Sequence, residues 1–261
     1  MKIAVCVKQV PDSWAQKKMV DGLLDRVNVD VVLNDLDEYA IEEALQIVEA
    51  HGGNDEGGPH SITIISMGPE RALESVRKAL SMGANTGIII TDPALVGADA
   101  LATSKVLATV ISNGQFDLVI CGTESTDARM SVVPAMIAER LGCAQLTFAA
   151  SVSVDPEAKK VSISRVTESG VEAMYGEFPV VISVVEKINE PRYPSFKGIM
   201  AAKKKSIETT DCASLGITLE SSWSSVVDSS PRPPRAAGIT ITDDGTGAEK
   251  LVEFLAEKKL I

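Results

Sequence analysis

Lys2-Ile3-Ala4-Val5-Cys6-Val7, followed by the polar turn Lys8-Gln9-Val10-Pro11-Asp12 and later by Asn34-Asp35-Leu36-Asp37-Glu38-Tyr39-Ala40-Ile41-Glu42-Glu43-Ala44, decides the fold class. The first run is apolar until Lys8 ends it, which predicts a buried strand over 2–7. The second carries Leu36, Tyr39, Ala40, Ala44, Ile47 and Val48 at helical spacing, which predicts an amphipathic helix from Asp35 to Glu49. Asn34 stands at the cap position, and Asp35, Asp37 and Glu38 fill the first turn, where negative charge suits the helix dipole. Glu42 and Glu43 fall on what reads as the exposed face of this helix.

The same alternation continues to about residue 150. Further strands are predicted at 61–66, 87–91 and 117–121. One helix opens at Pro69-Glu70 and stops near Gly83, another covers 96–112, and a fourth follows Asp127 and ends at Leu141-Gly142. Strands alternating with helices argue for an α/β fold with a mostly parallel sheet flanked by helices. Beyond 145 the pattern becomes strand after strand. Val152–Val154 and Val161–Arg165 are joined through Asp155-Pro156-Glu157, and a stronger run spans Pro179–Val185, so antiparallel additions complete the sheet. From Glu186 the periodicity fades into Pro, Ser and Lys, with a short helix near 248–259. A tail of about 70 residues so poor in apolar period forms no core alone and lies against something else.

Composition bounds the function. The 261 residues carry 36 acidic against 25 basic side chains, net −11, which disfavours nucleic acid and anionic lipid as partners. Cys6, Cys121, Cys143 and Cys212 are far apart, and His51 and His60 flank one glycine-rich loop, so neither a metal shell nor a Ser-His-Asp set assembles. No apolar stretch is long enough for a membrane span, and the start lacks signal-peptide features, so a soluble, intracellular protein with reduced thiols is expected.

In an open parallel sheet, ligands bind where the strands end. The segments after the predicted strands are Lys8–Asp12, Met67-Gly68-Pro69 and Gly122-Thr123-Glu124-Ser125-Thr126-Asp127, with Asn34–Asp37 adding a helix start. There is no GxGxxG fingerprint after the first strand and no GxxxxGK[ST] loop. Gly122–Asp127 places a glycine, three hydroxyls and two carboxylates before a helix, which suits a ribose and phosphate held by backbone donors. On spacing alone, the loop serves equally as a helix cap. A second feature is Lys187–Lys205, with six cations against Glu190, a local +5 in an acidic chain. Pro191 and Pro194 stiffen it and Tyr193 and Phe196 offer anchors, a composition suited to docking an acidic partner or to a solvated linker.

Several separated motifs resemble the electron transfer flavoprotein β subunits over nearly the whole chain. They are Val7-Lys8-Gln9-Val10-Pro11-Asp12, Asn34 to Ala44, Lys78-Ala79-Leu80-Ser81-Met82-Gly83-Ala84, Asn189-Glu190-Pro191-Arg192-Tyr193, and Ile199–Lys205. The family's signature stretch is Arg165-Val166-Thr167-Glu168-Ser169-Gly170-Val171-Glu172, running to Pro179–Ser183.

The resemblance implies a Rossmann-like domain of the adenine nucleotide hydrolase type over 1–188, a partner-recognition loop and basic segment over 189–205, and a C-terminal arm over 206–261 packing on an α subunit. It implies AMP as a structural ligand and FAD shared with, and mainly held by, that α subunit. By motif, the AMP contacts fall on Cys6, Asn34, Asp35, Leu36, Asp37, Met67, Gly122, Thr123, Glu124, Ser125, Thr126, Asp127, Arg129, Met130, Ser131, Val132, Val133 and Pro134. Partner docking falls on Pro191, Arg192, Tyr193, Phe196, Lys203, Lys204 and Lys205, with Phe196 in the place of an anchoring aliphatic residue. Trp14 stands beside the position where the family often has an aromatic near the flavin. The implied role is a carrier without independent catalysis, serving fatty acid β-oxidation. It takes electrons from acyl-CoA dehydrogenases and passes them to the electron transfer flavoprotein–quinone oxidoreductase. Bifurcating members hold a second FAD and tend to show Asp-Gly-Asp-Thr-Ala-Gln, where this chain has Asp127-Ala128-Arg129-Met130-Ser131-Val132. That difference favours AMP. The alternatives are the bifurcating type and a stand-alone adenine-nucleotide-binding regulator.

Overall fold

The computed structural model describes residues 1–235 and 237–261. In chain order the strands are β1 (Lys2–Val7), β2 (Gln9–Pro11), β3 (Met19–Val20), β4 (Leu23–Leu24), β5 (Val31–Leu33), β6 (Ser61–Met67), β7 (Thr86–Ile90), β8 (Leu118–Gly122), β9 (Ala144–Asp155), β10 (Lys160–Thr167), β11 (Gly170–Glu177), β12 (Val180–Val184) and β13 (Ile207–Thr210). The helices are α1 (Asp35–Ala50), α2 (Leu73–Met82), α3 (Ala100–Gly114), α4 (Val133–Leu141), α5 (Phe196–Ala202) and α6 (Gly247–Glu257).

Nine strands form one sheet in the order β11-β10-β9-β12-β8-β1-β6-β7-β13. Pairing is parallel from β9 through β13, and the β9–β10 and β10–β11 pairs are antiparallel, so β10 alone runs against the rest. This is the Rossmann-like α/β arrangement with antiparallel additions. Side chains alternate across the sheet as the pleat requires. Ile3, Val5, Ile62, Ile64, Leu118 and Ile120 join Ile41, Leu45 and Val48 of α1 and Val76 and Leu80 of α2 on one face. Ala4, Ile65, Val119 and Cys121 join Val106, Val110 and Ile111 of α3 and Ile137 of α4 on the other. Both faces are covered, which is why β1 and β8 read as unbroken apolar runs.

Several boundaries differ from the sequence reading. The fourth helix begins at Val133. Residues 127–132 form a loop in which Arg129 and Ser131 take positive φ (50° and 55°), a conformation that cannot continue a right-handed helix. The hairpin is a three-strand extension, because Gly170–Glu177 adds β11. The tail is not featureless at its start: Ile207–Thr210 pairs in parallel with β7 as an edge strand. Residues Met1–Val227 form one compact unit, and Asp228–Ile261 form a second. In the second unit α6 buries none of its residues. Among the described residues no helix is long and apolar enough to cross a membrane.

Candidate functional site

From β1 the chain crosses to β6 and β7 on one side of the sheet, then returns to β8 on the other. The crevice beyond the carboxyl ends of β1 and β8 is therefore a topological switch point, where open α/β sheets bind ligands. Cys6 and Cys121 are in-register neighbours at its floor. The Cys121 thiol is pushed up by the hydrogen-bonded Cys6 thiol beside it and by burial.

Three chain segments are knotted above that floor by buried polar groups. Asn34 is fully buried. Its Nδ2 donates to the Glu124 carbonyl at 2.9 Å and to Asp37 Oδ1 at 2.9 Å, and its Oδ1 accepts from the Thr126 amide at 3.0 Å. The cap role expected for this side chain is therefore not made. The side chain is spent on fixing the 124–126 loop instead. Asp37 accepts from the Lys8 amide at 2.7 Å through its other oxygen, which ties the end of β1 to the first turn of α1. Burial pushes the Asp37 carboxyl up to about 7, against the opposing hydrogen bonds from Asn34 and Lys8.

Gly122 is dictated by proximity. A Cβ there would lie 2.6 Å from Asp37 Oδ1 and 2.8 Å from the Leu36 carbonyl carbon and oxygen. Only glycine lets β8 end against the start of α1.

Asp127 is the electrostatic centre of the loop. Its side chain is wholly buried, yet it accepts from Lys8 Nζ at 2.9 Å and is paired with the Arg26 guanidinium. Burial pushes this carboxyl up, but the Lys8 charge and hydrogen bonds from Lys8, Ser125 and Arg26 outweigh that and hold it at about 2. Lys8 Nζ also reaches Ser125 Oγ at 3.2 Å, and Ser131 Oγ donates to Glu124 Oε2 at 2.9 Å. Lys8 and Arg26 together offset the carboxylates of Asp127 and Glu124. Just beyond lies the first turn of α4, whose leading amides have no intrahelical partner. Hydroxyls, open amides and the Lys8 and Arg26 side chains together fit a nucleoside phosphate.

The structure brings Cys6, Asn34–Asp37, Gly122–Asp127, Arg129–Val132, Val133 and Pro134 to this one edge, and Met67 ends the adjoining β6. Lys8 and Arg26 were not among the expected contacts. Lys8 is signalled by its place at the end of an apolar strand, whereas Arg26 lies 101 residues from Asp127 and carries no local signal.

The residues assigned to docking lie elsewhere, along the later turns of α1 and α2, and two are otherwise engaged. Arg192 is bound to Glu42 and Glu49 of α1. Lys205 Nζ donates to the carbonyls of Leu80, Gly83 and Ala84 at 3.1, 3.3 and 2.6 Å, satisfying the end of α2. Tyr193, Phe196, Lys203 and Lys204 are exposed, and Pro191 is half-buried. Glu42 and Glu43, expected on a solvated face, are buried beneath Arg192 and Asn189. Trp14 is exposed in the loop after β2.

Residues 21–215 match the family described as Electron transfer flavoprotein domain. The chain is 44% identical over 267 residues to the "Electron transfer flavoprotein subunit beta" of Mycobacterium tuberculosis H37Rv, covering 99% of each. It is 35% identical to the protein of that name from Thermoanaerobacterium thermosaccharolyticum over the full length of both, and 34% identical to that of Megasphaera elsdenii over 99% of this chain and 97% of the other.

Proposed function

The chain belongs to the electron transfer flavoprotein β-subunit family, an electron-carrier family that works with an α subunit, and on that footing we propose that it is the nucleotide-gripping, partner-docking half of a flavin-dependent shuttle. Electrons arrive from acyl-CoA dehydrogenase-type flavoenzymes and leave to the electron transfer flavoprotein–quinone oxidoreductase at the membrane. The chain catalyses nothing alone and works in the bacterial cytoplasm. FAD, held mainly by the α subunit, supplies the redox chemistry when bound. The C-terminal arm packs on that α subunit.

The observation that carries the nucleotide reading is the convergence of Asn34, Asp37, Gly122 and the doubly paired Asp127 at the switch point. We assign AMP to this edge, against the loop Gly122–Asp127 and Arg129–Pro134, with Cys6 and Met67 below and Asn34–Asp37 beside it. Lys8 and Arg26 neutralise Asp127, so an incoming phosphate meets cations and amides. Ala128 and Met130 stand where a bifurcating loop has Gly and Thr, so the close backbone approach and the hydroxyl that favour a second FAD are missing.

Docking is assigned to Tyr193 and Phe196, with Lys203 and Lys204 steering the encounter. Phe196→Ala should slow electron transfer from a reduced acyl-CoA dehydrogenase by roughly tenfold, the loss typical of an interface anchor, with FAD content unchanged. Stopped-flow transfer to the purified αβ complex measures this, and an unchanged rate removes Phe196 from the interface.

A further inference from the structure

The segment joining β12 to α5 does not run free over the surface. Ile188 packs against the core. Asn189 Nδ2 donates to the Tyr39 carbonyl at 3.0 Å and to Glu43 Oε2 at 3.0 Å. The Arg192 amide and Nε both reach Glu42 Oε2, at 3.2 and 2.7 Å, and Nη2 reaches Glu42 Oε1 at 2.9 Å. The outer edge of the guanidinium grips Glu49, with Nη1 on Oε1 at 2.6 Å and Nη2 on Oε2 at 3.0 Å. One arginine is thus clamped by two carboxylates a full two turns apart on α1.

Immediately beyond this clamp the surface changes character. Tyr193 is 96% exposed and Phe196 80%, with Ile199 and Met200 close to half exposed. The base under them is fixed from the α2 side as well. Arg77 Nη1 donates to the Ala202 and Lys205 carbonyls at 2.5 and 2.8 Å. Burying two glutamates costs free energy that an apolar tether would not incur. The acids bring geometry instead, because a two-sided fork fixes the direction of the arginine and of its own amide. A loop ordered before its partner arrives does not lose that freedom on binding.

We propose that Arg192 and Asn189 are positioning residues: clasped to Glu42, Glu43 and Glu49, they hold the backbone that presents Tyr193 and Phe196, and they do not themselves touch the partner. This role rests on the docking reading given above.

The test uses the assembled αβ complex with Arg192→Lys, Glu49→Gln and Phe196→Ala. Arg192→Lys keeps the charge and loses the fork. It should accelerate amide hydrogen exchange across 186–195 by at least about tenfold and raise the apparent KM for reduced dehydrogenase by roughly five- to tenfold, with kcat within about twofold and the flavin spectrum unchanged. Glu49→Gln, peripheral and tolerant of solvent, should show the same pattern more weakly, and it carries the test if Arg192→Lys fails to assemble. Phe196→Ala should raise KM with exchange unchanged. Unchanged exchange in both clasp variants overturns the inference, as does faster exchange with KM unaltered. If Phe196→Ala leaves transfer intact, the docking reading itself fails. Clasp variants that slow transfer when Phe196→Ala does not would overturn the inference too, because the clasp would then act through another surface.

Discussion

Gly122→Ala should empty the nucleotide site and destabilise the chain by about 3 kcal/mol, the upper range for forcing a methyl into a packed position. The new Cβ meets Leu36 backbone at 2.8 Å and Asp37 Oδ1 at 2.6 Å, and neither can yield cheaply. Leu36 is in the first turn of α1, and Asp37 is pinned from both sides by Lys8 and Asn34. Relief requires β8 and α1 to separate, which breaks the bonds from Asn34 to Glu124 and Thr126 that shape the loop. Unfolding of the assembled complex gives the stability loss. Nucleotide affinity of the complex should fall by about tenfold for each 1.4 kcal/mol of binding that the lost loop geometry supplied, and nucleotide released on denaturation should fall with it. Retention of full nucleotide would show that the loop does not hold it.

Asp127→Asn should cost roughly 2 kcal/mol at neutral pH. Its carboxyl lies at about 2 in the fold against an ordinary value of 3.8, and each unit of difference is worth about 1.4 kcal/mol. The sign follows from that depression. The charged carboxylate contributes its stability in full above 3.8 and loses it as the pH falls through about 2. The native complex should therefore weaken on acidification across that window, and the variant should be weaker at neutral pH yet flatter below 4. Asp37 works in the opposite direction. Its carboxyl is raised to about 7, so the stability tied to its neutral form is present below 3.8 and declines as the pH rises through about 7. Thermal unfolding of both proteins across the acid range separates the two carboxylates. An Asp127→Asn variant with the native acid slope would deny the carboxylate its central place.

What could be read in the sequence follows the range of the forces involved. β1, β6, β8 and α1 announced themselves because local period sets which side chains face the sheet. β11 did not, since Val171 and Tyr175 point to solvent and only Met174 and Gly176 turn toward the core, too short a stripe to detect. Glu42 and Glu43 looked solvated because their covering groups, Asn189 and Arg192, come from about 150 residues downstream. A separation of 101 residues hid Arg26 from Asp127 in the same way. The helix expected after Asp127 starts late because Arg129 and Ser131 adopt left-handed backbone, which their residue types do not signal. The meeting of Asn34–Asp37 with the 122–127 loop at one sheet edge was legible in outline through strand ends and family motifs. Its internal bonding, with Asn34 turned from cap to crosslink, emerged only from the assembled fold.

The claim on which the rest depends is that this chain grips a nucleotide monophosphate inertly while the flavin belongs mainly to its partner. Denaturing the purified αβ complex and counting the released nucleotides by mass spectrometry tests it most directly. One FAD and one AMP per heterodimer is the predicted outcome, and two FAD with no AMP would contradict it.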